Sequence, residues 1–296
     1  MEELAGCPIC SSPERKPFLA CLDHFLTKET FQIAECLDCG FRYTNPRPES
    51  GQLGKYYQSP EYISHSNTRK GIFNRIYQLV RNYTLSGKHR LITRYVRSGS
   101  ILDIGCASGE FLNFMKSKGW NVTGIEPDEK TRRNAVANYG IDILDESGLS
   151  GIPDGTFDII TLWHVLEHVP DLNARMKEIH RLLKKEGMLF LAVPISDSFD
   201  AGKYSERWAG YDVPRHLYHF TRGTMNNLLD RHSFQLVKTI PMKFDAYYVS
   251  LLSEKYRSGK VNWLTGFWNG YCSNRDAKIS GNYSSLVFIS RKKNEK

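Results

Sequence analysis

Four of the seven cysteines in this 296-residue chain form two C-x-x-C pairs, Cys7 with Cys10 and Cys36 with Cys39. Each pair can wrap a tight turn around one side of a metal ion, and two pairs supply the four thiolates of a closed tetrahedral zinc site. A segment of roughly 45 residues is also too small for a stable core without a metal. The spacing therefore predicts a structural zinc ribbon, and the other three cysteines are expected to be unpaired, buried thiols.

A glycine-containing turn, Asp103-Ile104-Gly105-Cys106-Ala107-Ser108-Gly109-Glu110, lies between an apolar run and a helical pattern. Its glycines let main-chain N–H groups at a helix start approach a ligand closely. A dinucleotide loop would need glycine in place of Ala107 and Glu110, and the carboxylate of Glu110 would repel a pyrophosphate. The phosphate-cradling loop that ends in Gly-Lys-Ser/Thr is absent, so a dehydrogenase and an NTPase are both disfavoured.

A carboxylate, Glu126, follows 23 residues after Asp103, at the end of the next apolar strand. In dinucleotide folds this position accepts two hydrogen bonds from a ribose diol. The turn and the carboxylate together predict a seat for an adenosyl group without phosphates.

Short apolar strands alternate with helical stretches from Ser100 onward, which is typical of a parallel sheet wrapped by helices. The sequence predicts an α/β fold with strands at Ile101–Ile104, Asn121–Ile125, Ile141–Leu144, Phe157–Trp163, Gly187–Val193, Phe234–Ile240 and Ser285–Ser290. Helices are expected over Glu110–Lys118, about Asp128–Asn138, on a face marked by Leu172 to Leu183, and over Thr221–His232.

Three segments are expected: a zinc ribbon over 1–48, a helical linker or lid over 49–97, and a large domain over 98–296 with insertions at about 196–220 and 241–283. Arg69–Arg97 holds eight basic and no acidic residues and accounts for the whole net charge of +8. This segment can bind an anionic partner or form a solvated helix face. The helical pattern over Ile72–Tyr83 favours packing against the main domain, and a lid or a membrane-surface helix are the alternatives.

The composition, with 41% hydrophobic and 24% charged residues, disfavours a disordered, collagen-like or coiled-coil protein. No apolar run reaches the 18 or more residues that predict a membrane-spanning helix. The N-terminus has neither a basic region nor an apolar stretch of a secretory signal, so a cytoplasmic location is expected.

Four motifs, ILDIGCASGEFL, GIEPD, FDIITLWHVLEHVPD and LLKKEGMLFLAVP, resemble in order and spacing those of class I S-adenosylmethionine-dependent methyltransferases. The resemblance covers roughly residues 98–195 and implies a Rossmann-like, seven-stranded sheet with S-adenosylmethionine as cofactor. One departure is Ala107, where the family usually has glycine. Trp208–Phe220 is similar to a segment in bacterial relatives of the ubiquinone-type methyltransferases, some with an N-terminal C-x-x-C pair.

The resemblance assigns ten positions to the cofactor: Asp103, Gly105, Cys106, Ala107, Gly109, Glu126, Pro127, Asp145, Glu146 and His164. The turn would shape the methionine end, Glu126 would hold the ribose, and Asp145, ahead of Glu146, would contact the adenine. An exposed loop is the alternative for these two carboxylates. His164 ends the fourth strand and would sit near the reactive sulfonium.

Three residues are candidates for catalysis, namely Arg215, His216 and His164. Arg215 could clamp a phosphate or carboxylate of an anionic acceptor, and His216 or His164 could take a proton from the nucleophile. A structural loop in which His216 bonds a main-chain carbonyl is an equal alternative. A metal site of the H-x-x-E-H type at His164–His168 is disfavoured because a strand, not a helix, precedes it.

The sequence thus predicts in-line methyl transfer to a small-molecule or glycan/lipid-precursor acceptor. An RNA methyltransferase that uses the ribbon and the basic segment is one alternative, although the fourth strand lacks the N-P-P-Y tetrapeptide of base-amino enzymes. A non-catalytic S-adenosylmethionine-binding module is the other.

Overall fold

The computed structural model describes residues 1–57 and 83–293, and the chain divides into two compact units. Unit 1 comprises Met1–Ser59, His164–Met176 and Leu191–Ile289, and unit 2 comprises Pro60–Trp163, Lys177–Phe190 and Ser290–Lys296. The expected helix over Ile72–Tyr83 and much of the basic segment lie outside the described residues. The boundaries expected at 48 and 97 stay predictions.

A small four-stranded sheet belongs to unit 1. It has the order β1-β2-β3-β9, with antiparallel pairs throughout. Its strands are β1 (Arg15–Leu22), β2 (Thr30–Cys36), β3 (Arg42–Thr44) and β9 (Tyr218–His219). Phe31 and Ile33 alternate with exposed residues in β2 and bury one face of this sheet. The ribbon therefore recruits a strand from the segment Trp208–Phe220, which the sequence predicts as a loop.

The larger sheet has seven strands in the order β10-β11-β8-β7-β4-β5-β6. They are β4 (Ser100–Ile104), β5 (Asn121–Ile125), β6 (Asp142–Leu144), β7 (Phe157–Trp163), β8 (Leu183–Pro194), β10 (Phe234–Pro241) and β11 (Ser285–Lys292). This confirms the predicted α/β, Rossmann-like fold with seven strands. In the parallel register Ile104 faces Ile125, which faces Leu144. The turns after β4, β5 and β6 therefore open on the same edge of the sheet.

Helices lie close to the predicted bounds after the strands, and further helices occupy the expected insertions at about 196–220 and 241–283. They are α1 (Glu110–Ser117), α2 (Glu129–Tyr139), α3 (Leu172–Leu182), α4 (Phe199–Tyr204), α5 (Arg222–Arg231), α6 (Asp245–Ser258) and α7 (Trp263–Ser280). A further helical stretch covers residues 83–92. Asp128 caps α2 by accepting from the N–H of Thr131, and Gly140 ends it with a positive φ. Among the helices described, none is long and apolar enough to cross a bilayer.

Candidate active site and metal centre

The four cysteines of the two C-x-x-C pairs come together in unit 1. The sulfur atoms of Cys7 and Cys39 lie 3.5 Å apart, those of Cys10 and Cys36 lie 3.4 Å apart, and all four lie within 4.8 Å of one another. A tetrahedral ion with Zn–S bonds of about 2.3 Å needs sulfurs about 3.8 Å apart. Burial raises the pKa of Cys7 to about 11, and metal binding would have to displace that proton. The donor set and its spacing fit a structural zinc ion.

The two cysteine pairs have the same main-chain hydrogen bonds. The N–H of Ser11 donates to the carbonyl of Cys7 at 2.9 Å, and the N–H of Gly40 donates to the carbonyl of Cys36 at 3.0 Å. Ser11 and Gly40 both have a positive φ, at 66° and 70°. Each pair therefore closes the same tight turn, and the two turns present their thiols to one point.

The ribbon is bonded to the segment that contains His216. The N–H of Thr44, the last residue of β3, donates to the carbonyl of Leu217 at 3.0 Å, and its hydroxyl donates to the carbonyl of His216 at 2.9 Å. Tyr43 pairs with Tyr218 in β9. The ribbon thus fixes the main chain of the candidate catalytic loop inside unit 1.

The turn after β4 has the shape of a ligand-binding loop. Gly105, Ala107 and Gly109 all have a positive φ, at 73°, 47° and 75°. The φ of Ala107 explains why glycine is usual there, since a side chain in this region costs roughly 1–2 kcal/mol. A Cβ on Gly124, in β5, would lie 2.6 Å from the sulfur of Cys106, so only glycine lets this turn lie so close to the strand.

Glu126 braces this turn from the end of β5. Its Oε2 accepts from the N–H of Ala107 at 3.0 Å and its Oε1 from the N–H of Asp128 at 2.9 Å. A carboxylate has about four acceptor positions, so two remain for a ribose diol. Burial raises the pKa of Glu126, and the two amides oppose that rise by stabilising the charged form. The geometry fits the ribose-binding role that the sequence predicts.

Asp103 is buried below the same turn. The hydroxyl of Thr161 donates to its Oδ1 at 2.5 Å. Burial raises the pKa of Asp103 to about 6, and the bond from Thr161 limits the rise. Asp103 is therefore an anion at neutral pH that can balance a cationic ligand group.

Asp145 follows β6 at the same sheet edge and is exposed. Its Oδ1 accepts from the hydroxyl of Ser147 at 2.6 Å and from the N–H of Gly148 at 3.1 Å, and these bonds lower its pKa. Asp145 therefore caps the short 3-10 helix Glu146–Gly151. Glu146 is exposed beside it, and Pro127 lies next to Glu126. Adenine contact by this group stays a prediction.

His164 directly follows β7 and lies between two carboxylates of unit 1. Its Nε2 is 3.0 Å from Asp245 Oδ2, and its Nδ1 is 3.5 Å from Glu167 Oε1. Although burial disfavours the charge, these two partners raise the pKa of His164 to about 10. The ring is thus protonated at neutral pH, which argues against the expectation that His164 accepts a proton.

His216 is held differently. Its Nδ1 is 2.8 Å from the carbonyl of Gly210, so Nδ1 carries the proton in the neutral ring and Nε2 carries the lone pair. The ring of His168 packs edge-on against it at 4.5 Å, and burial lowers the pKa of His168 to about 4. Ligand atoms of Glu167, His168 and His216 lie within 4.8 Å of one another, and such a donor set could also hold a divalent cation. His216 therefore makes the carbonyl bond of the structural alternative, and its role as a base stays a prediction.

Arg215 corrects one expectation. Its Nη2 donates to Asp23 at 3.0 Å and to Asp212 at 2.7 Å, its Nε donates to Asp212 at 2.9 Å, and its Nη1 donates to the carbonyl of Tyr56 at 3.1 Å. The guanidinium is buried together with Asp23. Because its charge and its donors are used inside unit 1, Arg215 does not offer the expected clamp for an anionic acceptor.

The partners of His164, Arg215 and His216 are not predicted from the sequence. Asp245, Asp23 and Thr44 stand outside every motif, and only the fold brings them to His164, Arg215 and His216. Glu167 lies within a motif, but the motif does not predict that its carboxylate is buried.

A methyltransferase-domain family matches residues 76–239, which is more than half of the chain. The chain belongs to this methyltransferase family. The match spans the turn after β4, Glu126, Asp145 and the His164–His168 stretch, and it confirms the class I methyltransferase resemblance drawn from the motifs.

Curated proteins are similar to part of this chain. A ubiquinone biosynthesis O-methyltransferase from Pseudomonas aeruginosa is 36% identical over 100 residues, which are 31% of this chain and 43% of that protein. A protein of the same name from Caulobacter vibrioides is 30% identical over 121 residues, which are 36% and 48%. The chain thus spans less than half the length of these relatives.

A solved structure supports the fold. The Burkholderia thailandensis 1,6-didemethyltoxoflavin-N1-methyltransferase, with 1,6-didemethyltoxoflavin and S-adenosylhomocysteine bound, is 15% identical and has a TM-score of 0.51. The similarity covers 94% of this chain and all of that one. At this identity the likeness shows a shared fold and leaves the reaction to the site.

Proposed function

We propose that the protein transfers a methyl group from S-adenosylmethionine to a small-molecule or glycan/lipid-precursor acceptor. The observation that carries the proposal is the brace between Glu126 and the left-handed turn at Ala107. It leaves a buried carboxylate with free acceptor positions next to main-chain N–H groups, which suits a ribose and not a pyrophosphate. The similarity to ubiquinone biosynthesis O-methyltransferases supports a small-molecule acceptor.

The residues of unit 2 would hold the cofactor. Glu126 would accept from the ribose hydroxyls, Asp103 would balance the ammonium of the methionine part, and Asp145 would stay near the adenine. When bound, S-adenosylmethionine supplies an electrophilic methyl group on a sulfonium, which a nucleophile can displace in line. Alignment of the reactants can contribute roughly 7–11 kcal/mol to such a step.

In unit 1, His216 would accept the proton of the attacking group at Nε2. The carbonyl of Gly210 holds the opposite nitrogen, so the basic lone pair stays on Nε2. A positioned base of this kind contributes about 10²- to 10⁴-fold to a rate. His164 would act as a fixed cation held by Asp245, and Arg215 as a positioning residue that orients the loop before His216.

The cysteine cluster would hold a structural zinc ion. Four thiolates leave no open position for water or substrate, so the ion would support the ribbon and not the chemistry. Through Thr44 the ribbon would keep the main chain of His216 in place.

The proposal is tested with labelled methyl donor and a panel of acceptors that includes phenols and quinols, lipid-linked sugars, and total RNA. We expect label in a small-molecule or lipid fraction. Label found in RNA alone would support an RNA methyltransferase instead, and donor binding without label in any fraction would support a non-catalytic binding module.

A further inference from the structure

Helix α7 carries its large apolar side chains on the outside and its small side chains on the inside. We call the outer set the aromatic face of α7, and it consists of Trp263, Leu264, Phe267, Trp268, Tyr271 and Ile279. Each of these residues is between 49% and 93% exposed. The buried set consists of Gly266, Asn269, Gly270, Ser273 and Ala277. A helix at the surface of a water-soluble domain normally shows the opposite pattern.

Close packing against α6 fixes this orientation of α7. A Cβ on Gly266 would lie 2.6 Å from the side chain of Leu251, and a Cβ on Gly270 would lie 2.8 Å from the Cα of Tyr247. No larger residue could occupy these two positions without moving the helices apart. Helix α7 therefore cannot rotate about its axis so that the outer side chains pack against α6 in place of the inner ones.

Polar bonds inside unit 1 hold the inner face as well. Asn269 donates to the hydroxyl of Tyr204 at 2.7 Å, and the hydroxyl of Ser273 donates to Asp200 at 2.8 Å. Asp200, Asn269 and Ser273 are buried. Because these groups would lose their partners if α7 rotated, the aromatic face stays on the outside.

The aromatic face is a continuous surface. The rings of Trp263 and Phe267 stack at 6.2 Å, and those of Trp268 and Tyr271 lie 5.7 Å apart. Tyr247 of α6 extends the surface through Phe267 at 5.8 Å. A contiguous patch of this kind marks a surface that meets an apolar partner.

The charges around the aromatic face indicate which partner that is. At 3.6 residues per turn, Arg275 and Lys278 lie within the same arc of about 160° as the six apolar side chains. Lys260 is exposed just before α7 begins. Asp276, the one acid in α7, lies outside that arc. Exposed tryptophan, phenylalanine and leucine beside cations whose long side chains can reach the headgroups suit a helix that rests on anionic lipid.

A second copy of the chain fits this surface less well. A two-fold contact through the aromatic face would bring Arg275 and Lys278 of one copy toward the same cations of the other, with no acid on the face to pair with them. Anionic lipid headgroups supply the missing negative charge, and the long side chains of both cations can reach them while their stems stay apolar.

We propose that the aromatic face of α7 docks the protein on the surface of an anionic bilayer. The side chains would enter the boundary between headgroups and acyl chains, with α7 parallel to the membrane plane. This inference does not depend on the methyl transfer proposed above.

The experiment is flotation of the full chain with vesicles of phosphatidylcholine alone or mixed with phosphatidylglycerol. Wild type should float with the mixed vesicles and much less with the neutral ones. Trp263→Gln with Trp268→Gln should weaken binding by about ten-fold or more, since two indoles that would insert into the membrane are lost. Arg275→Gln with Lys278→Gln should weaken it by about five-fold for each cation.

Matched controls lie on α2. Val136→Gln removes an exposed apolar side chain and Lys130→Gln an exposed cation, and both should float like wild type. All variants should keep the melting temperature and the calorimetric affinity for S-adenosylhomocysteine, so a loss of flotation is separate from a failure of the cofactor site. Unchanged flotation in both double variants would overturn the proposal. A wild-type dimer that ignores vesicles and that Trp263→Gln with Trp268→Gln dissociates would also overturn it, in favour of a second copy.

Discussion

The hydroxyl of Thr44, at the end of the third ribbon strand, donates a 2.9 Å hydrogen bond to the main-chain carbonyl of His216. The cysteine cluster and the candidate base His216 therefore both lie next to strands of the same small sheet in unit 1. A ribbon placed in this way supports the loop that would perform proton transfer, and its loss should be visible in turnover as well as in stability.

Loss of the proposed zinc ion should lower both stability and turnover. Cys36→Ser deletes one of four thiolates, so we expect loss of about one zinc ion per chain by metal analysis and a lower melting temperature, because structural zinc contributes directly to folding. Turnover should fall as β3 releases the His216 segment. Cys272→Ser, outside the cluster, is the control. A Cys36→Ser protein with full zinc content and an unchanged melting temperature would refute the metal site.

Replacement of His216 should impair chemistry and leave cofactor binding intact. His216→Asn removes the basic Nε2, and we expect turnover to fall by about 10²- to 10⁴-fold. The affinity for S-adenosylhomocysteine should not change. His232→Asn removes an imidazole outside the cluster and should keep full turnover. Full activity of His216→Asn with every acceptor tested would exclude the base role.

Cofactor affinity should depend on pH through Asp103. Burial raises the pKa of this carboxyl to about 6, so the free protein takes up a proton there as the pH falls below neutrality. The protonated form cannot balance the ammonium of the ligand, and affinity for S-adenosylhomocysteine should fall by about ten-fold from about pH 7 to about pH 5. Asp103→Asn should bind weakly at both pH values. An equal slope in wild type and Asp103→Asn would place the titrating group elsewhere.

Replacement of Arg215 should act on stability before it acts on substrate. Arg215→Gln leaves the carboxylates of Asp23 and Asp212 without their shared cation, which in a buried site costs about 3–5 kcal/mol of unfolding free energy. Arg133→Gln breaks an exposed pair with Glu129 and should cost about 1 kcal/mol or less. Denaturant titration measures both. If Arg215→Gln kept wild-type stability and had reduced affinity for anionic acceptors, Arg215 would instead bind the acceptor directly.

Local patterns predicted the elements that carry the cofactor turn. Phe157–Trp163 is a largely apolar run with Asp158 and Thr161 within it, and it forms a central strand with the predicted bounds. The order of the motifs also placed Gly105, Glu126 and Asp145 at one sheet edge, because each follows a parallel strand. These features depend on the spacing of apolar residues and on the positions of strand ends, and both can be predicted from the local sequence.

The rest depends on contacts far apart in the chain. Asp23 and Arg215 are 192 residues apart, and the local sequence around each residue does not predict their ion pair. The strand Tyr218–His219 is two residues long and exists because β3 offers it an edge. The sequence predicts the region of α7 only as part of an insertion, and the structure shows there a helix whose buried residues are small or polar.

The turn after β4 and the carboxylate of Glu126 should together bind an adenosine-bearing methyl donor. Calorimetric titration with S-adenosylhomocysteine tests it most directly. We expect about one site per chain, a loss of roughly 1.5–3 kcal/mol of binding free energy in Glu126→Ala, and no loss in Glu129→Ala. Absence of heat and of a melting shift in wild type, or equal affinity in Glu126→Ala and wild type, would contradict the account.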